Sequence, residues 1–365
     1  MSTTEGPIQT LVASPLARTV AETATDIWND SCAVDELKYA VAFGAVGATA
    51  NPTIVVDNWK KDAPRWGSRV REVAAEQPTW SERELAWGIV AEMSVRAAPI
   101  LVPAFEASGG RAGRLSVQTD PTLYRDAPAM VTQAFGFTGL APNVVVKFPT
   151  TSAGVAAMEE ATYRGISVNA TVSFSVAQAL AAAEAIERGI QRRAAEGLAT
   201  DDMGPVVTIM MGRIEDWLRV LVDRDGIVLH PSALPWSGVA VFKRAYAEWQ
   251  QRGFRARLLG AAIRHQLHWT ELIGGDVIIT MPASWQKRFN ASSVEVRSRI
   301  DDPVPYVDEL SAAFPDFVRA HEPDGLTVAE FDTWGPTVRT LRAFIGSYHE
   351  LLHLVTDALL PDSDT

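Results

Sequence analysis

The stretch Asn143-Val-Val-Val-Lys-Phe-Pro149 decides how the rest of the chain is read. Its run of Val and Phe is a strand signal, but a lysine interrupts it at Lys147. An ammonium group embedded among Val and Phe is disfavoured by desolvation, which lowers its pKa and leaves more neutral amine. A neutral amine is what a Schiff-base nucleophile requires. The plainer reading is that Lys147 ends the strand and carries its charge out to water.

Working outward, similar short runs recur on both sides of this one. Strands are expected at 25–30, 46–51, 114–119, 143–149, 167–174, 206–211, 255–262 and 276–281, separated by Ala-rich amphipathic helices such as 153–164, 176–195 and 239–251. Strands alternating with helices indicate a parallel α/β protein, and eight such units that close on themselves form a (β/α)8 TIM barrel. A doubly wound open sheet with a small second domain is the alternative. The chain has 365 residues, more than the roughly 250 typical of such a barrel. The excess falls in 52–113, read as two or three helices between the second and third strands, in the loop-rich segment 301–336, and in a terminal helix over 336–360. No Gly/Ser or Pro-rich linker divides the chain. One domain over 1–365 is expected, with a core at about 25–285 and a helical extension over 286–365.

Composition narrows the function. Hydrophobic residues make up 47% and charged residues 21%, an ordinary globular balance. With 33 Lys+Arg against 44 Asp+Glu, the net charge is −11, which argues against nucleic acid as a partner. The single cysteine, Cys32, forms no internal disulfide, so a reducing, cytoplasmic setting is expected. The first twenty residues lack a basic segment followed by an apolar core, so a secretory leader is not expected, and no run is read as a membrane span.

In a barrel the C-terminal ends of the strands open onto the face that carries the active site. Several of these strands end in polar residues: Asp30, Asn51, Gln118, and the pair Asn169 and Thr171, which share a strand face because they are two apart. Singly, such residues usually cap the following helix. On successive strands, with a lysine among them, they suggest a site. Arg213 follows the sixth strand and Arg264 the seventh, where guanidinium groups suit phosphate. The alternative for Arg213 is a salt bridge to Glu215 or Asp216.

Taken together, four segments resemble the transaldolase family. These are Gly47-Ala-Thr-Ala-Asn-Pro-Thr53, Val144-Val-Val-Lys-Phe-Pro-Thr-Thr151, Gly165-Ile-Ser-Val-Asn-Ala-Thr-Val-Ser-Phe-Ser175 and Met211-Gly-Arg-Ile-Glu-Asp-Trp217. The resemblance runs in consistent order from about Thr25 to Met281. It implies a class I reaction without metal or other cofactor. Lys147 forms an imine with a ketose, Asp30 takes the proton of the C4 hydroxyl, and the C3–C4 bond breaks to leave a dihydroxyacetone enamine for an aldehyde acceptor. The resemblance further implies that Asn51 and Asn169 bind substrate hydroxyls and the enamine, and that Thr171 positions a proton-shuttling water. Arg213 and Arg264 match the phosphate arginines, and Thr208 stands where a site-lining serine is usual. It places the reaction in carbohydrate metabolism, at the pentose phosphate pathway. The implied partners are sugar phosphates, a ketose donor and an aldose acceptor, with no membrane and with a homodimer left open.

The chain also departs from this pattern. Gln118 replaces the glutamate that activates the catalytic water in transaldolases. The related fructose-6-phosphate aldolases carry glutamine there, but they have a tyrosine where this chain has Met210. Ala262 replaces a phosphate-contacting serine. Asp30 is preferred over its neighbours Asp26 and Asp35 for its register after Trp28. A simple Schiff-base aldolase is therefore the second reading, and a non-catalytic sugar-phosphate-binding barrel the third.

Two further signals lie outside the resemblance. His349-Glu-Leu-Leu-His353 matches the HExxH zinc motif, but no histidine or glutamate follows it to complete a metzincin site. His265 and His268 follow Arg264 at an expected helix start and are candidates for the acid–base function absent at Gln118, the plainer reading being solvated first-turn histidines.

Overall fold

The computed structural model describes residues 14–360; the first thirteen residues, which open the stretch read above for a leader, and the last five lie outside the described residues. Eight strands, β1 (Asp26–Asn29), β2 (Gly47–Thr49), β3 (Arg114–Gln118), β4 (Val144–Pro149), β5 (Val168–Thr171), β6 (Val206–Ile209), β7 (Arg257–Gly260) and β8 (Ile278–Met281), close into a barrel in sequence order. All pairs are parallel, and β1 completes the ring against β8. This is the (β/α)8 barrel expected from the strand–helix rhythm, and the open-sheet alternative is excluded by closure.

Each strand lies inside its expected segment but is shorter, for local reasons. The expected strand 167–174 stops at Thr171 because Val172 has a φ of +53°, where an L side chain leaves the β ladder. Gln178 holds that turn: its Oε1 accepts from the Phe174 N–H at 3.0 Å, and its Nε2 donates to the Val172 carbonyl at 3.3 Å. The expected strand 206–211 stops at Ile209, since Met211 already begins the helix Met211–Asp225. Asn51 likewise leaves its strand to cap the helix Pro52–Lys61, its Oδ1 accepting from the Ile54 N–H at 3.0 Å.

Parallel register determines which side chains share the barrel interior. Trp28 is fully buried, and a Cβ on Gly47 would stand 2.3 Å from its indole, so glycine at that position admits the ring. At the N-terminal end, Arg257 pairs with both Asp26 and Asp276. The Arg114 guanidinium donates to the Gly110 and Asp202 carbonyls, at 2.6 Å each. Charged groups thus close the end away from the strand termini, and Asp26 belongs there.

The 52–113 segment folds as three helices, Pro52–Lys61, Ala63–Glu76 and Glu82–Ala107. By length and composition Glu82–Ala107 is apolar enough to cross a membrane, contrary to the expectation that no run is; half of its most apolar window is buried in this fold, where it packs on β3. A helix that sequence reading missed, Pro15–Glu22, is capped by Ser14 with Pro15 in its first turn. Past the barrel, the terminal helix Gly335–Leu359 begins beside Met211–Asp225 and runs across to the three inserted helices. It is tied down by Gln178 Nε2 donating to Thr337 Oγ1 at 3.2 Å and by a 2.9 Å contact between Thr53 and Ser347 hydroxyls. His349 and His353 sit on its exposed face, and Glu350 between them pairs with Lys60.

Candidate active site

Gln118, Lys147 and Asn169 are consecutive register partners across β3, β4 and β5, so their side chains line one face of the barrel wall. Thr171 follows two residues after Asn169 on that face, and Thr208 two after Val206, the partner of Asn169. Asp30 follows two after Trp28, whose register partner is Thr280. Lys147 is only 4% exposed, and its amine makes no hydrogen bond or ion pair with any described residue. Burial lowers its pKa, and Asp30 is the opposing charge that favours the ammonium form. Asp30 is held in turn by Thr49, whose hydroxyl donates to its carboxylate and lies 3.2 Å from the Thr280 hydroxyl. Of the three aspartates near the first strand, Asp30 is thus the one that acts on the lysine. Asp26 sits at the opposite end of the barrel. Asp35 lines a separate cavity of about 460 Å³ with Cys32, Lys61 and Trp66.

The amides around Lys147 are fixed by neighbours. Asn169 Nδ2 donates to Ser116 Oγ at 3.0 Å, and its Oδ1 accepts from Thr208 Oγ1 at 2.8 Å. Thr208, expected to line the site, therefore spends its proton orienting Asn169. Ser116, Thr49 and Thr280 were not singled out from sequence; the signal available for the first two was their spacing of two from Gln118 and Asn51. Gln118 Oε1 is buried without a partner. Asn51 and Gln118 also line a small cavity with Trp87 and Tyr348, the latter contributed by the terminal helix. Asn51 has given its carbonyl to the helix cap and retains its NH2 group for other work. Among the described residues the Thr171 hydroxyl has only the Met210 thioether as a partner, at 3.9 Å.

The two arginines differ in commitment. Arg264 is held by Asp216 in a two-point contact, at 3.1 and 2.7 Å. Arg213 makes no ion pair among the described residues, and its Nε is buried without a partner. Burial lowers its pKa, with the nearby Arg264 adding to the effect. An uncommitted, partly buried guanidinium beside a second one is a receptor for a dianion. The salt bridge weighed for Arg213 from sequence is not formed: Asp216 takes Arg264, and Glu215 accepts from Arg219 at 2.7 Å and meets His265 Nε2 at 2.8 Å.

His265 and His268 do lie beside Arg264. His268 is fully buried and held neutral by that burial, then by His265 and Arg264. Gly212 permits this packing, since a Cβ there would fall 1.9 Å from the Ala262 carbonyl. Ala262 itself adopts a φ of +62° and presents that carbonyl to the His268 ring.

Comparison with known proteins places this geometry. The family described as transaldolase/fructose-6-phosphate aldolase matches residues 27–321. A transaldolase of Thiobacillus denitrificans is 28% identical over 336 residues, covering 83% of this chain and 90% of that protein. A transaldolase of Neisseria meningitidis is 30% identical over 280 residues, covering 70% and 76%. "Transaldolase 2" of Streptomyces avermitilis is 26% identical over 331 residues, covering 82% and 87%. The chain belongs to the transaldolase/fructose-6-phosphate aldolase family.

Proposed function

We propose that this protein is a transaldolase-type transferase that carries a dihydroxyacetone unit on Lys147 from a ketose phosphate to an aldose phosphate. The observation that carries the reading is a buried lysine whose amine has no hydrogen-bond partner among the described residues and is opposed by one carboxylate, in a barrel that also carries an uncommitted arginine. Burial keeps more of the Nζ amine neutral, so its lone pair attacks the ketose carbonyl and loss of water gives the imine. Asp30 accepts the C4 hydroxyl proton, the C3–C4 electron pair flows into the protonated imine, and an aldose product leaves. The resulting enamine attacks the incoming aldehyde, Asp30 returns its proton, and hydrolysis frees Lys147. Asn169, locked between Ser116 and Thr208, presents its amide to the three-carbon unit. The Asn51 NH2 group binds the donor hydroxyls. Thr171 positions the water exchanged during imine formation and hydrolysis. Arg213 and Arg264 grip the substrate phosphate, with Asp216 setting the plane of Arg264.

A second reading, cleavage to free dihydroxyacetone, is favoured by one observation. At Gln118, the register partner of Lys147, the chain carries the glutamine of the aldolase branch in place of a transaldolase's glutamate. The buried Cys32 suits a reducing, cytoplasmic setting for either reading. The test is borohydride reduction in the presence of a panel of ketose phosphates and free ketoses, read by intact mass and peptide mapping. A stable adduct on Lys147 with a phosphorylated ketose is expected; binding without any adduct would overturn the Schiff-base assignment. Release of dihydroxyacetone in the presence of abundant aldose phosphate would select the cleavage reading.

A further inference from the structure

We propose that Glu215, His265 and His268 form a binding site for a first-row transition metal ion at the rim of the barrel, outside the Lys147 chemistry. The three side chains come from separate segments: Glu215 from the first turns of Met211–Asp225, His265 from the loop after β7, and His268 from the short helix Leu267–Thr270. One ligand atom from each lies within 4.8 Å of the others. Glu215 Oε2 is 2.8 Å from His265 Nε2 and 3.8 Å from His268 Nε2. Zinc held at about 2.0–2.2 Å by nitrogen and oxygen donors needs its ligand atoms a little over 3 Å apart, a spacing that the two Glu215–histidine distances bracket.

The second observation is His268 itself. Its side chain is fully buried, yet Nε2, the atom turned toward Glu215, has no hydrogen-bond partner among the described residues. The opposite ring nitrogen, Nδ1, accepts from the Arg264 N–H at 3.2 Å, so the ring is anchored from behind with Nε2 facing the cluster. Glu215 is set for one-point coordination, because Arg219 occupies Oε1 at 2.7 Å and Oε2 is the oxygen turned to the two histidines. Asp216 draws the Arg264 guanidinium aside, which limits its repulsion of a cation. Two imidazoles and one carboxylate select zinc, cobalt or nickel over magnesium or calcium, and three protein ligands leave a position open for water or an anion. Such an ion would fix the spacing between the segments that carry Arg213 and Arg264.

The exposed pair His349 and His353 is a competing metal binder, so the test uses the full-length, tag-free protein carrying H349A and H353A. After treatment with chelator and desalting, zinc or cobalt alone is added, and binding is followed by calorimetry and by the visible spectrum of bound cobalt. One equivalent is expected, with affinity falling at least about tenfold in H265A and in Glu215→Gln. His265 is partly exposed, so H265A is the variant that leaves the packed His268 in place. Loss of all binding in the H349A/H353A background, or unchanged binding when H265A is added to it, would overturn the proposal.

Discussion

Replacing Lys147 by methionine tests whether the barrel holds its amine against its own stability. The side chain is 4% exposed, bonds to no described residue, and has its pKa lowered by burial, with Asp30 giving only partial compensation. Methionine has nearly the same length, carries no charge, and fits the same place on the barrel wall. Exchanging a buried charged group for an apolar one of similar volume stabilises by about 1–4 kcal/mol, so Lys147→Met should unfold at higher denaturant while forming no borohydride adduct. The pH dependence follows from the direction of the shift. Unfolded lysine titrates near 10.4 and the folded group below that, so between the two values the unfolded chain holds more protons and wild-type stability rises with pH. The penalty is therefore complete below the folded pKa and fades as pH climbs to the unfolded one. The advantage of the methionine variant should be largest at neutral pH and shrink above it, by up to about 1.4 kcal/mol per pH unit. Urea titrations of both proteins at pH 7 and pH 10 measure this. A destabilised variant, or an advantage equal at both pH values, would refute the burial argument.

Other substitutions probe the remaining parts. Arg213→Gln should raise KM for a phosphorylated ketose about 10–100-fold, from the loss of about 1.5–3 kcal/mol of charged hydrogen bonding, and leave kcat nearly unchanged; equal losses on phosphorylated and free ketoses would remove Arg213 from the phosphate site. Gln118→Glu should raise the transfer rate about tenfold or more by supplying a base for water, and an unchanged or lower rate in steady-state assays would show that the amide suits the native chemistry. Thr208→Val should cost about 1–3 kcal/mol in denaturation, since Asn169 Oδ1 loses its donor, and kcat should fall with it. Gly47→Ala should destabilise by about 1–3 kcal/mol through the collision with Trp28, measured as a lower urea midpoint; no change would mean that the indole moves freely.

Much of this was legible because burial leaves strong marks on sequence. A lysine inside Asn143-Val-Val-Val-Lys-Phe-Pro149 stands out since nothing about strand formation favours it, and it lies within the wall of the closed barrel. Strand positions were legible for the same reason, and their ends were not. Val172 abandons the ladder despite its β-branched side chain because Gln178, six residues on, satisfies the turn. The hydroxyls of Thr49, Ser116 and Thr280 escaped notice because Ser and Thr are unremarkable in strands, and only closure brings them to Asp30 and Asn169. Partner choice among the arginines was illegible: Asp216 is three residues from Arg213 yet pairs with Arg264 across 48 positions. The Glu215–His265 contact spans 50 positions and follows no spacing rule.

The frame around Lys147 explains how one barrel can host both transfer and cleavage. Asp30 is held by Thr49, Asn169 by Ser116 and Thr208, and Arg264 by Asp216, so these groups keep their orientation whatever stands beside them. Gln118 is the exception. Its side-chain carbonyl is buried without a partner, and its neighbours toward the terminal helix, Trp87 and Tyr348, also carry buried polar atoms without partners. A residue whose hydrogen bonds are not dictated by the barrel can change identity without disturbing the rest. That position also decides whether the water near the imine meets a base or only a hydrogen-bond donor. If water is a poor nucleophile there, the enamine and imine persist longer, and an aldehyde acceptor has more time to capture the three-carbon unit. An amide at Gln118 is thus compatible with transfer even though it slows hydrolysis. The ratio of transfer to free dihydroxyacetone, compared between the wild-type enzyme and its Gln118→Glu variant, separates that effect from overall rate.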